Sequence, residues 1–175
     1  MHVSVVMVQS VDGNITNGTD ANIYSWTSAE DSAFFFSQIE QNTLIIMGSR
    51  TYEMAKTKIQ LKPDKLRVVL TRNPEKFADQ VVAGSLEFSN ETPQELLTQL
   101  EKRGFTKALV VGGSEVNGIF FSANLVNELI VTIEPILFGQ GLHLTSKLSQ
   151  KVPLKLRSIT QLNSQGTLLF RYTVT

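Results

Sequence analysis

The chain reads as an α/β protein, a mostly parallel sheet flanked by helices and finished by antiparallel strands. Three observations predict this. Short, nearly continuous apolar runs rich in β-branched residues recur up to residue 111, the pattern of strands covered on both faces. Segments carrying helix start signals separate them. After residue 125 the alternation stops, and two late runs close the chain around a polar turn.

The expected strands cover residues 3–8, 43–47 (TLIIM), 66–70 (LRVVL), 81–83 and 108–111 (ALVV). Ser28, with Asp31 three residues on, resembles a capping box and opens the helix SAEDSAFFFSQIEQN. A shorter helix is expected over 50–56, after Gly48. Thr92, Pro93 and Glu95 open a third, ending near Arg103-Gly104, and a fourth should cover 114–122. A strand over 128–136, a turn at Phe138-Gly139-Gln140-Gly141 and a hairpin of 154–162 with 167–174 complete the expectation. No repeat, low-complexity tract or linker interrupts the 175 residues, so we expect one domain.

Composition narrows the function. Lysine plus arginine equals aspartate plus glutamate at 16 each, so no global field draws the chain to nucleic acid or to an anionic membrane. A small anion needs only local charge. With 0 cysteines, disulfides, thiol catalysis and thiolate metal sites drop out. His2 and His143 are not spaced as metal ligands. No apolar run approaches the roughly 20 residues of a membrane helix. The opening MHVSVVMVQS has neither basic leader nor cleavage site, which reads as a cytoplasmic protein.

Neither G-x-G-x-x-G nor G-x-x-x-x-G-K-[ST] occurs. Three strand ends carry the chemistry instead. Met47-Gly48-Ser49-Arg50-Thr51-Tyr52 runs from a strand through glycine into a helix start, where free N–H groups, two hydroxyls and a guanidinium favour an anion. Val111-Gly112-Gly113-Ser114 does the same with paired glycines, which let a flat cofactor approach the backbone. Leu70-Thr71-Arg72 ends another strand, with Arg72 placed to hold a phosphate. Each taken alone also reads as an ordinary β-to-α turn. Three on one sheet point to a ligand beyond its carboxyl edge. Two acids remain. Asp12, in Ser10-Val11-Asp12-Gly13, reads by default as a turn residue, and Asp31 as a helix cap. However, Asp31 and Phe35 are four apart and share a helix face, which suits a flat, polar heterocycle.

These residues resemble the dihydrofolate reductase-like superfamily, and within it the C-terminal reductase domain of RibD, the riboflavin biosynthesis protein. Ser10-Val11-Asp12-Gly13-Asn14-Ile15 is similar to the S-L-D-G-x-I segment of the riboflavin type. Ile46-Met47-Gly48-Ser49-Arg50-Thr51-Tyr52 resembles M-G-R-x-T-[WY] of dihydrofolate reductases, and Gly112-Gly113 the G-G motif of both. Leu125-Val126-Asn127-Glu128-Leu129, then Glu134-Pro135-Ile136-Leu137-Phe138-Gly139-Gln140-Gly141, resembles the riboflavin-type tail. The matches keep the family's order from residue 3 to about 145. Val111 stands where riboflavin-type reductases often carry glutamate, Ser49 where dihydrofolate reductases carry arginine, and Asn127 replaces the common aspartate.

The resemblance implies a three-layer α/β/α fold, NADPH as cofactor and a cis Gly112–Gly113 peptide. It places the cofactor phosphates at Gly48, Ser49, Arg50 and Thr51, the adenosine end at Thr71 and Arg72, and the nicotinamide half at Gly112 and Gly113, with Ser114 and Glu115 following. Asp31 falls where dihydrofolate reductases carry the pocket carboxylate, with Trp26 and Phe35 as substrate-binding neighbours, and Asp12 is a second catalytic candidate. A homodimer is implied, with 129–137 and the late hairpin as interface material. The leading expectation is an NADPH-dependent 5-amino-6-(5-phosphoribosylamino)uracil reductase acting in riboflavin biosynthesis. Dihydrofolate reduction is the alternative, favoured by Trp26, Asp31 and Phe35. A nucleotide-binding protein without turnover is the reading from another class. NADPH oxidation with each substrate separates them.

Overall fold

A computed structural model describes residues 1–20 and 22–175. Strands β1 (His2–Ser10), β2 (Leu44–Gly48), β3 (Leu66–Leu70), β4 (Leu86–Ser89), β5 (Lys107–Val110) and β6 (Glu128–Glu134) run parallel. β7 (Leu154–Gln161) and β8 (Leu168–Val174) form an antiparallel hairpin, and β8 also pairs antiparallel with β6. The sheet order is β4-β3-β2-β5-β1-β6-β8-β7. The carboxyl ends of the six parallel strands therefore share one edge.

Helices α1 (Ala29–Gln41), α2 (Ser49–Ala55), α3 (Pro93–Lys102) and α4 (Ser114–Ser122) connect them. Their apolar residues fall into two clusters. Leu96, Leu97 and Leu100 of α3 with Val116, Phe120 and Phe121 of α4 pack on Val3, Val5, Leu44, Ile46 and Val68. Phe34, Phe35 and Ile39 of α1 with Tyr52 of α2 pack on Ile45, Met47 and Val69. Successive strand residues point to opposite faces, so both faces are covered and the layers run α/β/α. β2 and β3 are buried along their whole length, which is why β2 reads as an unbroken apolar run and β3 as one interrupted only by the buried Arg67.

Local signals locate most boundaries. Thr92 and Glu95 close a reciprocal capping box with Pro93 in the first turn. Strand 128–136 stops at Glu134, just before Pro135, whose missing N–H ends ladder pairing. Residues 81–83 are not a strand. A 3₁₀ segment runs through Pro74–Gln80, and Gly84, at φ +76°, turns the chain so that the strand begins at Leu86. Val81 and Val82 stay exposed, while Leu86 enters the core. Two β-branched residues thus resembled a strand that begins five residues further on, at Leu86.

Lys65 was not legible in the sequence. It is buried, and its ammonium donates to the carbonyls of Ile39, Glu40 and Asn42, closing the end of α1.

Candidate functional site

Three of the strand ends converge. Gly48 N–H donates to the Gly112 carbonyl at 2.8 Å, joining the turn after β2 to the turn after β5. Gly113 lies against Thr51, so close that a Cβ there would sit 3.2 Å from its Oγ1. Gly112 has φ +87°, and a Cβ on it would meet Met7 Sδ at 2.8 Å. The positive φ favours glycine there, and a Cβ would also force the Met7 side chain to move. The Gly112–Gly113 peptide is cis, as the resemblance implied.

Arg50 from the first turn of α2 reaches Glu115 on α4 at 3.4 Å, and Arg72 from the end of β3 approaches the same carboxylate at 3.8 Å. Side-chain exposures of 83% and 91% leave both guanidinium groups mostly in water. Each carries five donors, and one shared carboxylate satisfies few of them. This set of free donors beside a bare glycine backbone fits a phosphate-bearing nucleotide. Ser49 and Thr51 on α2, Thr71 beside Arg72, and Ser114 at the start of α4 lie around the same edge.

A second polar cluster occupies the edge on the other side of β1. Asp31 is buried, with 6% exposure, in the first turn of α1. Ser28 Oγ accepts from Asp31 N–H at 3.2 Å, which is half of the expected capping box. The reciprocal half belongs to another strand. Glu134 Oε1, at the end of β6, accepts from both the amide and the hydroxyl of Ser28 at 2.7 Å. The Asp31 carboxylate is thereby free of its capping duty. Burial pushes it up to about 6, the Thr132 hydroxyl opposes that shift, and the neighbouring Glu134 adds to it.

The remaining candidates lie nearby. Phe35, one turn beyond Asp31, is half-buried against the core and makes an edge contact with Phe36 at 5.8 Å. Trp26 packs edge-on against Phe138 at 5.1 Å, and its indole N–H is buried without a hydrogen-bond partner among the described residues. Asp12 does something different. Its carboxylate accepts from Ser10 Oγ at 2.6 Å, Gly139 N–H at 2.7 Å and Phe138 N–H at 3.2 Å. The Ser10 hydroxyl and these amides hold it well below the usual carboxylate range, at about 2. Such a group clamps the Phe138–Gly139 turn onto the end of β1 and has no proton to give near neutral pH.

Sequence reasoning missed Glu134, Thr132 and Thr167. A signal existed, because Thr132 and Glu134 are two apart in an apolar strand and therefore share a face. Both are buried. Buried Asn117 was missed as well. Its Nδ2 donates to the Leu144 carbonyl at 2.8 Å, while its Oδ1 is buried with no hydrogen-bond partner among the described residues.

Known proteins resemble this chain in family and in fold. The uncharacterised protein YwjB of Bacillus subtilis (strain 168) is 28% identical over 119 residues, 67% of this chain and 66% of that protein. The fold is similar to a diaminohydroxyphosphoribosylaminopyrimidine deaminase/5-amino-6-(5-phosphoribosylamino)uracil reductase from Thermotoga maritima, with TM-score 0.76, 18% identity, and coverage of 99% of this chain and 56% of that one. It is also similar to dihydrofolate reductase from Enterococcus faecalis complexed with NADP(H), with TM-score 0.65, 20% identity, and coverage of 99% and 96%. The fold is thus dihydrofolate reductase-like. The profile described as RibD C-terminal domain matches residues 1–168, and the chain belongs to that family.

Proposed function

We propose that this chain is an NADPH-dependent reductase, most similar in role to the 5-amino-6-(5-phosphoribosylamino)uracil reductases of riboflavin biosynthesis. One observation carries the reading: a nucleotide-suited edge, with Gly48, Gly112 and Gly113 beside Arg50 and Arg72, shares the sheet's carboxyl end with the buried acid Asp31. Reducing a C=N or C=O bond adds hydride to carbon and a proton to nitrogen or oxygen. The cofactor supplies the hydride when bound. Arg50, Arg72, Ser49, Thr51 and Thr71 hold its phosphates and adenosine end, while the glycine backbone receives its flat ring. Asp31 holds the proton, and Trp26 and Phe35 flank the heterocycle.

Absorbance loss at 340 nm tests this with NADPH and either the ribosylaminopyrimidine phosphate or dihydrofolate. Turnover of the pyrimidine supports the proposal. Turnover of dihydrofolate alone moves it to a pterin reductase, a reading that the buried Asp31 favours. NADPH binding with neither turnover leaves a nucleotide-binding protein.

We also propose a homodimer. Of the run 129–137 expected as interface material, residues 129–131 are buried inside the sheet, whereas Ile136 and Leu137 at its end are exposed. The hairpin can form an interface. β7 is an edge strand exposed along its whole length, and it presents Leu154, Leu156 and Ile159 to solvent. Light scattering at micromolar concentration should give twice the chain mass, with an interface of about 1,000 Å² or more. A monomer would remove this proposal.

A further inference from the structure

The hydrogen bonds around Glu134 have a direction that backbone groups dictate, since a peptide N–H can only donate. The N–H groups of Gly166 and Thr167 donate to Asn163 Oδ1 at 3.2 and 3.1 Å. Asn163 must then present its Nδ2 donors elsewhere, and they reach Thr167 Oγ1 at 2.9 Å and Glu30 at 3.1 Å. Having accepted one hydrogen, the Thr167 hydroxyl sends its own to Glu134 Oε2 at 2.6 Å. From the other side, Asp31 N–H donates to Ser28 Oγ, so the Ser28 hydroxyl hydrogen goes to Glu134 Oε1, beside that of the Ser28 amide. Both oxygens of Glu134 are acceptors, and Oε1 accepts twice. That is the pattern of an ionised carboxylate.

We propose that Glu134 is a positioning residue for Asp31: the hydrogen-bond chain through Asn163, Thr167 and Ser28 commits Glu134 as acceptor, so a proton entering this buried acid pair resides on Asp31. Two neighbouring carboxylates in a buried site share one proton, and which of them holds it is set by the donors around each. Three donors face Glu134. Asp31 has the Thr132 hydroxyl, with desolvation the largest influence on it and the Glu134 charge acting in the same direction. Other charged groups nearby are engaged elsewhere. Glu30, next on α1, is exposed and bound to Asn163; Arg171 on β8 pairs with Glu128 and lies over Phe34; Asp12 after β1 holds the Phe138–Gly139 turn. The functional consequence rests on the proposed reductase reading, in which Asp31 is the proton donor.

Carboxyl ¹³C titration of the ligand-free protein tests this without substrate or cofactor. As pH falls, the first proton that the pair takes up in the wild type should appear at the Asp31 carboxyl resonance and not at that of Glu134. Glu134→Gln should move the Asp31 midpoint to lower pH by about half a unit or more, still above that of a free aspartate because burial persists. Thr167→Val, which removes one donor from Glu134, should bring proton uptake partly onto Glu134. Uptake of that first proton at Glu134 in the wild type, or an unmoved Asp31 midpoint in Glu134→Gln, would overturn the proposal. In an active protein, the alkaline fall of the pH–rate profile should shift to lower pH in Glu134→Gln. If no substrate is turned over yet the titration behaves as stated, the reductase reading fails and the placement of the proton stands.

Discussion

Replacing Asp31 with asparagine is expected to lower turnover at least about tenfold, a barrier increase of about 1.4 kcal/mol, while NADPH affinity stays nearly unchanged. Asparagine caps a helix about as well as aspartate, so a residue serving only the helix start would tolerate the change. Here the carboxylate takes no part in the cap, since Glu134 closes it onto Ser28. Stopped-flow measurement of NADPH oxidation, with separate cofactor titration, reads the two effects apart. Unchanged pyrimidine reduction by Asp31→Asn would move the proton transfer away from Asp31, and the ionised Asp12 could not take it over near neutral pH.

The same substitution should act oppositely on stability. The Asp31 carboxyl rises from 3.8 to about 6 on folding, with desolvation the main cause and Glu134 adding to it. Between those values the folded protein holds a proton that the unfolded chain has released. Stability is therefore lost as pH rises through this window, and lowering the pH restores it. About two units at 1.36 kcal/mol each amount to about 3 kcal/mol as an upper figure. Asp31→Asn removes the cost of burying the charge, so its melting temperature at pH 8 should exceed that of the wild type, and the gap should narrow toward pH 4. A gap that is constant with pH would show that Asp31 does not ionise across this range. A more stable and less active variant is the expected signature of an acid buried for its chemistry.

Arg50→Ala combined with Arg72→Ala is expected to weaken NADPH binding at least about tenfold and NADH binding much less. A hydrogen bond to a charged group contributes about 1.5–3 kcal/mol, and every 1.4 kcal/mol is tenfold in affinity. The lower end applies, because both guanidinium groups are largely solvated and already share Glu115. NADH lacks the extra phosphate, so it should notice the loss less. Fluorescence titration with both cofactors measures the ratio, and equal losses would contradict the assignment of these arginines. The effect should also shrink as salt rises, since the contacts are exposed.

The sequence by itself determined the elements whose causes are local. A continuous apolar run marked β2 and a nearly continuous one, broken by Arg67, marked β3; the Thr92-Pro93-Glu95 box began α3, and the glycine-bearing ends of β2 and β5 were visible as turns into helices. The resemblance added the order of the motifs and, with it, the cis Gly112–Gly113 peptide. Tertiary structure alone decided what depends on partners distant in the chain. That Arg50, Arg72 and Glu115 meet follows from β5 inserting between β2 and β1, a topology no local pattern encodes. Asp12 looked like a catalytic candidate until the Phe138 and Gly139 amides, more than a hundred residues away, occupied its carboxylate. Asp31 looked like half of a capping box until Glu134, 106 residues beyond Ser28, took that half over. A hydrogen-bonding group shows its chemistry in the sequence, but its partner is chosen by the fold. Whether a carboxylate caps, clamps or carries a proton depends on that partner and on the water that folding removes around it.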